Sequence, residues 1–419
     1  MREAIKISVL GGSGVYTPGL ILSLLDNIDY LPRINLVLCG RTEEKLNRIY
    51  EVASSIVKKH RERINIVATT NFESGIEGSD IVINQIRVGG FYARQKDEEF
   101  AREIGVVEEE TMGIVGLANA LRTIPVVLKY ASLVEKYASD AYFLNFTNPA
   151  SMVIRSLNNK TRLKVFGVCD LPEVITHRIA AILNISRENL YFKYVGLNHL
   201  GWVIDVLKNG NSLMARVIEK ADRFEDIGIR EDFIRFCNAV PVPFLKFYYD
   251  PDEQIKKSKD KSITRGKELL LLEDELINSY SKDEVKNNPK KIKELLFNKR
   301  KPVWYEYSVV PAIVSLFGNK HSTHIIMHRN NGVLSSLKDD DIVEANAYMD
   351  DNGIKMIKDG ELPQFAEGLV KSVATYERFC VNAIFDPTDS NLIKALLAHP
   401  LVPSYGIAKK SLNYLRKQG

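Results

Sequence analysis

Residues 5–10 (IKISVL) run apolar into Gly11-Gly12-Ser13-Gly14, and Pro18 then introduces a helical pattern over 19–26. Strand, glycine turn and helix in that order commit the N-terminus to a βαβ unit, because neighbouring parallel strands need a crossover and a helix supplies it. The unit repeats. Residues 34–39 (INLVLC) precede a helical stretch at 43–59, and short apolar runs return at 64–68, 80–85, 141–146 and 164–168, with helical stretches among them. Alternation at this spacing specifies an α/β fold on a Rossmann-type doubly wound sheet.

After about residue 172 the pattern changes. Strand-like stretches at 189–196 and 202–207 lie close together, and long charged helical segments follow from 214 to 300. A further strand pair is expected at 323–328 and 332–335, then a helical tail at 362–417. We therefore divide the chain into a dinucleotide-binding domain, 1–172, and a second α+β domain, 173–419. The lysine-rich tracts 256–261 and 284–301 read as solvated surface.

Composition removes some function classes. A net charge of +4 beside 57 basic and 53 acidic side chains leaves no electrostatic footprint for nucleic acid. No uninterrupted apolar run approaches the roughly 18 residues of a membrane helix, so no membrane partner is expected. A strand starting just behind Met1 leaves no room for a signal peptide. Cys39, Cys169, Cys237 and Cys380 are too scattered for a disulfide framework, which points to a reducing cytoplasm.

Five segments carry candidate chemistry. Gly11, Gly12, Ser13 and Gly14 let the backbone turn tightly and approach a pyrophosphate at a helix N-terminus, although the spacing is not a clean G-x-G-x-x-G and an ordinary tight turn is the alternative. At the end of the second strand Arg41 stands where an acidic ribose contact is usual, and an arginine accepts a 2′-phosphate, which keeps NADP open beside NAD. Arg87 and Arg94, near paired glycines, suit bidentate recognition of phosphate or carboxylate; a plain surface loop is the alternative. Asn148 follows a strand at its ligand-facing end and offers a donor and an acceptor to sugar hydroxyls, or else marks a simple Asn-Pro turn. Cys169, with Asp170 beside it, ends another strand, and His199 lies thirty positions on. Thiolate and imidazole together suit a borderline divalent metal, whereas either one alone is more often a core residue.

Taken in order, these segments resemble glycoside hydrolase family 4, the NAD- and metal-dependent glycosidases. The resemblance runs through Thr17-Pro18-Gly19, residues 87–98 and 110–125, Thr147-Asn148-Pro149-Ala150, Cys169-Asp170-Leu171-Pro172, Gly196-Leu197-Asn198-His199 and the tail 376–401. It implies a fold like lactate and malate dehydrogenases, with their α+β C-terminal domain, and a homodimer or homotetramer. It implies hydrolysis of a small glycoside, including 6-phosphoglucosides, by hydride removal at C3, proton removal at C2, loss of the aglycone from C1, addition of water and return of the hydride. Cys169 and His199 match the metal ligands, usually for manganese, and Asp170 matches the acid of α-specific members, where β-specific ones commonly have Asn. Arg87, Arg94, Asn148 and Arg265 match candidates for contact with the sugar or its phosphate.

The chain departs from that pattern in three places. The base is a tyrosine in the family, and Phe244 occupies the matching first position of Phe244-Leu245-Lys246-Phe247-Tyr248-Tyr249. Tyr248, four residues on, is the substitute base nominated here, with Tyr249 beside it. Arg41 replaces the acidic cofactor contact, and Lys301-Pro302-Val303-Trp304 replaces an Arg-Gly-Gly-Ala tract. Loss of the tyrosine favours the rival reading, an oxidoreductase acting on a sugar or hydroxy acid with stoichiometric NAD(P). A non-catalytic binding protein on the same scaffold is a third reading, disfavoured by the Cys169, Asp170 and His199 set.

Overall fold

The computed structural model describes residues 3–418. Six parallel strands come first: β1 (Ala4–Leu10), β2 (Arg33–Cys39), β3 (Ile64–Thr69), β4 (Ile81–Asn84), β5 (Tyr142–Asn145) and β6 (Lys164–Gly167). They lie in the order β3-β2-β1-β4-β5-β6, the Rossmann order, with the chain reversing direction across the sheet between β1 and β4. Their apolar character follows from cover on both faces. On one face pack α1 (Thr17–Asp26), α2 (Glu43–Val57) and the helix Val310–Phe317; on the other pack α3 (Phe72–Ile76), α5 (Gly113–Tyr137), α6 (Ala150–Lys160) and the helices of the tail, while α4 (Gly90–Ile104) borders the same core.

The second half joins the same sheet. Strands β7 (Tyr191–Leu197), β8 (Leu200–Lys208), β9 (Asn211–Ser212), β10 (Val240–Pro241), β11 (Ser322–Arg329), β12 (Ile342–Asp350) and β13 (Gly353–Met356) pair antiparallel. The seam is β11 against β6, where Met327 faces Gly167. A Cβ at Gly167 would collide with Ile154 of α6 and stand 3.2 Å from Met327, so glycine leaves room for both neighbours. Beyond it the order is β12-β7-β8-β10, which makes one 13-stranded sheet.

Two expectations need correcting. Residues 332–335 form no strand; they belong to a turn that Asn330 closes by donating from Nδ2 to the Leu334 carbonyl at 2.9 Å and accepting from its amide at 2.7 Å. The true partner of β11 is β12, whose buried Glu344 and Asn346 broke the apolar pattern a sequence reading relies on. The helix α5 is also long and apolar enough to cross a membrane by length and composition, but 72% of its apolar window is buried inside the fold.

The tail helices Glu367–Phe385, Asp389–Ala398 and Tyr405–Leu415 are tied down by buried polar groups. Arg378 donates to both oxygens of Asp341 at 2.6 and 2.7 Å, and Arg155 reaches the same carboxylate at 3.1 Å. Burial holds the neighbouring Glu377 carboxyl up at about 8, against 4.5 for a free one. The stability its protonated form contributes is therefore present below about pH 4.5 and lost as pH rises through about 8. Glu377→Gln should flatten the fall in Tm between about pH 5 and 8, measured by calorimetry; an unchanged slope would assign that fall to other groups.

Candidate active site

The carboxyl ends of the parallel strands open into one cavity of about 1150 Å³. At its floor Gly11, with φ +84°, passes so close to β4 that a Cβ would lie 3.0 Å from the Gln85 carbonyl oxygen. The Gly11 and Gly12 amides both donate to the Cys39 carbonyl, at 3.1 and 2.9 Å. Gly11, Ser13 and Gly14 line the cavity, whereas Gly12 packs against β2, where a Cβ would stand 2.8 Å from Leu38. Gln85 braces the loop: its Nε2 donates to the Gly11 carbonyl at 3.2 Å and to Thr17 Oγ1 at 3.1 Å, and its Oε1 accepts from the Tyr305 hydroxyl at 2.7 Å. Tyr305 directly follows the tract 301–304 that departs from the family pattern. Arg41 and Lys45 line the cavity past the end of β2. A tight glycine turn whose one side chain is the small Ser13, and which leads into a helix, fits the pyrophosphate of a dinucleotide.

Cys169 follows β6 and caps α7 (Asp170–Leu183). His199 sits at φ +62° in the two-residue turn between β7 and β8. This hairpin turns where Gly196 pairs Gly201, and a side chain on Gly201 would strike the Tyr194 phenol, which instead donates to Glu344 at 2.7 Å. Asn198 Nδ2 reaches the other oxygen of Glu344 at 3.3 Å. The His199 ring is set by a relay: Thr111 Oγ1 lies 3.0 Å from Nδ1 and donates to Glu109 at 2.5 Å. A hydroxyl that gives its proton to the carboxylate accepts from Nδ1–H, which leaves Nε2 with a free lone pair. Burial lowers the imidazole pKa to about 4, so the ring is neutral at physiological pH.

Burial, with Glu344 and Asp170 adding to it, pushes the Cys169 thiol well above its ordinary value. A cation beside the sulfur reverses that balance and replaces the proton. A soft thiolate and a free imidazole nitrogen on one cavity wall fit a divalent transition metal as two of its ligands. Among the described residues no group of three His, Cys, Asp or Glu could hold such an ion alone, so solvent or substrate oxygens would have to complete the shell.

Cations and carboxylates line the same cavity. Burial would raise the Glu110 carboxyl, yet Arg87 at 2.7 Å and Arg94 at 2.8 Å hold it well below the usual range. Asn148 donates to Glu110 at 3.1 Å, and Arg94 also donates to Glu98 at 2.6 Å. Arg265 lines the cavity from the start of the helix Arg265–Tyr280, its Nη1 donating to Glu268 at 2.8 Å. Lys257 and Lys261, read from sequence as plain surface, stand on the rim. Burial raises the Asp170 carboxyl, which favours its protonated form.

Besides Gly12, Tyr248 is the nominated residue that the geometry does not support. It does not line the cavity; its ring packs 5.8 Å from that of His399, and burial, with Glu377 and Glu109 adding to it, raises the phenol well above 10. The ring that covers His199, at 4.3 Å and 38°, is Phe244. The helical offset assumed from sequence fails because Pro243–Leu245 is a 3-10 turn, and only Lys246–Tyr249 is α-helical. Sequence reasoning marked the segment 110–125 and the tract ending beside Tyr305 but missed what Thr111 and Tyr305 do there, and it missed Gln85, Glu109 and Glu344, which no local motif marks. Cys39, Cys237 and Cys380 are buried and free, as a core role requires.

Models of the family 4 glycosyl hydrolases match residues 6–185, and of their C-terminal domain residues 194–402. The chain belongs to glycosyl hydrolase family 4. It is 32% identical to a probable 6-phospho-beta-glucosidase of Bacillus subtilis, over 99% of this chain and 96% of the relative. It is 30% identical to a maltose-6'-phosphate glucosidase of Fusobacterium mortiferum, over 98% and 96% of the two chains. Among solved structures, the 6-phospho-beta glucosidase of Thermotoga maritima with manganese, NAD+ and glucose-6-phosphate superposes with a TM-score of 0.88 at 28% identity, covering 99% of this chain and 98% of that one. A malate dehydrogenase of Plasmodium falciparum shares the fold alone, with a TM-score of 0.53 at 14% identity over 91% of this chain and 99% of its own. The dehydrogenase-like α/β fold expected from sequence is therefore the observed one, and the chain is a glycoside hydrolase of an NAD- and metal-using family.

Thr111→Val removes the partner of His199 Nδ1 without touching either proposed ligand. Mn²⁺ affinity, measured by calorimetry, should fall by about 10–100-fold with the fold intact, as is usual for a lost outer-shell partner. Unchanged affinity would mean that the relay does not orient the ring.

Proposed function

We propose that this enzyme hydrolyses 6-phosphoglucosides, with the α-linkage preferred, and that it needs NAD and a divalent ion such as Mn²⁺ to do so. The observation that carries the reading is the meeting, in one cavity, of Cys169, His199 and a protonation-prone Asp170 with Arg87, Arg94, Asn148 and Arg265. When bound, the dinucleotide supplies reversible oxidation of the sugar and the ion supplies Lewis acidity. Cys169 Sγ and His199 Nε2 would hold the ion, and the loop of Gly11, Ser13 and Gly14 would hold the dinucleotide. Arg265 and the rim lysines Lys257 and Lys261 offer a dianionic phosphate counter-charge from side chains that other carboxylates do not fully neutralise.

Asp170 is the proposed acid for the leaving oxygen. Burial favours the proton on its carboxyl and outweighs the opposing charge of Arg300. The rival, an oxidoreductase that keeps the reduced cofactor, draws on one observation: the ring over His199 is Phe244, which accepts no proton.

The test is a panel of nitrophenyl α- and β-glucosides and galactosides, with and without the 6-phosphate, assayed with NAD, Mn²⁺ and a thiol while reduced cofactor is followed. Nitrophenol from the phosphorylated α-glucoside without accumulated reduced cofactor is the expected result. Accumulated reduced cofactor with no nitrophenol would favour the rival. Asp170→Asn should slow cleavage of a natural disaccharide phosphate by about 100-fold and leave nitrophenyl cleavage nearly unchanged, since a good leaving group needs little protonation. Equal losses on both would remove Asp170 from the acid role.

A further inference from the structure

Hydrolysis through a C3 ketone needs a proton acceptor for C2 of the sugar, and the identity of that acceptor rests on the 6-phosphoglucosidase reading. Phe244 covers His199 and has no lone pair to offer, and Tyr248 lies outside the cavity. Tyr249 does line it, but its ring packs on Phe233 at 4.9 Å and burial pushes its phenol up to about 12, so it is a poor proton acceptor. Among the carboxylates on the cavity wall, Glu110 has both oxygens engaged, Oε2 by Arg87 and Oε1 by Arg94 and Asn148. Glu98 is engaged likewise, Oε1 by Arg94 at 2.6 Å and Oε2 by the Gly266 amide at 2.5 Å. Asp170 has the opposite duty, to deliver a proton.

Glu109 differs from all of these. Its Oε2 accepts from the Thr111 amide at 2.7 Å and from Thr111 Oγ1 at 2.5 Å. Its Oε1 takes part in no hydrogen bond among the described residues and is not among the polar atoms sealed in the interior. The residue lines the cavity with Phe244, Cys169, Asp170 and His199, yet is only 7% exposed. A carboxylate pinned through one oxygen, with the other open to the site, has lost its rotational freedom and kept its basic atom, as a general base requires.

We propose that Glu109 is the base of this enzyme, taking the C2 proton on Oε1 in place of the phenol that Phe244 lacks. The pair of electrons from C2–H then forms the enolate of the C3 carbonyl. The C1–O bond breaks with its electrons on the aglycone oxygen, which receives the Asp170 proton. Water then adds its hydroxyl at C1 and gives its proton to the Asp170 carboxylate, Glu109 returns its proton to C2, and the hydride that a nicotinamide dinucleotide took from C3 is restored there, so the sum is hydrolysis. Burial and the adjacent Glu110 charge raise the Glu109 carboxyl, partly offset by Arg94, and a stronger carboxylate base results.

Glu109→Gln keeps an oxygen for Thr111 and removes only the basicity. With NAD and Mn²⁺ bound, in D₂O, turnover of the nitrophenyl 6-phosphoglucoside should fall by at least about 100-fold, and deuterium should no longer enter C2 of the product. A single-turnover rise in reduced cofactor should persist, and Mn²⁺ affinity should be unchanged, because oxidation at C3 and the ligands are untouched. Retained turnover with C2 exchange would overturn the proposal. So would loss of the reduced-cofactor signal together with Mn²⁺ affinity, which would make Glu109 a positioning residue acting through Thr111. A wild-type enzyme giving neither nitrophenol nor C2 exchange would sink the functional reading, and the Glu109 assignment with it.

Discussion

The site exists because β6 accepts β11 as its neighbour. That one edge contact, Met327 against Gly167, converts a six-stranded parallel sheet into a 13-stranded one. Through β12 it carries the β7–β8 hairpin to the carboxyl end of β6, so the turn bearing His199 and the turn bearing Cys169 open on the same cavity. Glu344 on β12 secures the arrangement by accepting from Tyr194 and Asn198 of the hairpin. Burial raises that carboxyl to about 7, and its negative form lies close enough to the Cys169 sulfur to oppose thiolate formation until a cation arrives.

Two adjacent residues show how the cavity separates chemical roles. Glu109 and Glu110 are both buried, yet Arg87 and Arg94 hold Glu110 ionised while Glu109 is pushed the other way. The difference is one of partners, since Glu110 meets guanidinium groups on both oxygens and Glu109 meets only Thr111. A pair of like groups whose environments drive them apart is how acid, base and fixed charge coexist in one pocket. The same economy applies to the arginines. Arg94 is largely covered and pairs with both Glu98 and Glu110, whereas Arg265 stays half exposed at the rim.

Much of the fold was legible because parallel strands buried on both faces read as continuous apolar runs, and the turns that end them carry glycine or Asn-Pro. The candidates that such turns point to, Arg41, Arg87, Asn148, Cys169 and Asp170, do line the cavity. Where the reading failed, the cause was tertiary. The strand β12 hid behind Glu344 and Asn346, polar residues buried only because Tyr194, Asn198 and the Phe192 carbonyl meet them. Tyr248 was placed by counting along an α-helix that begins only at Lys246. The lysines of 256–261 are indeed exposed, but the segment lies on the lip of the cavity, which no composition reveals.

The order of elements, the glycine turn and the residues at the strand ends were determined by the chain's own pattern, since apolar period and turn chemistry act over a few neighbours. Which oxygen of which carboxylate stays free, which ring covers His199, and which of two neighbouring glutamates holds its charge were decided only by the tertiary structure. Those outcomes depend on desolvation and on partners far away in sequence: Thr111 meets His199 across 88 positions, and Tyr194 meets Glu344 across 150. A local pattern carries no information about contacts at that range, because they come into being only when the sheet closes across β6 and β11.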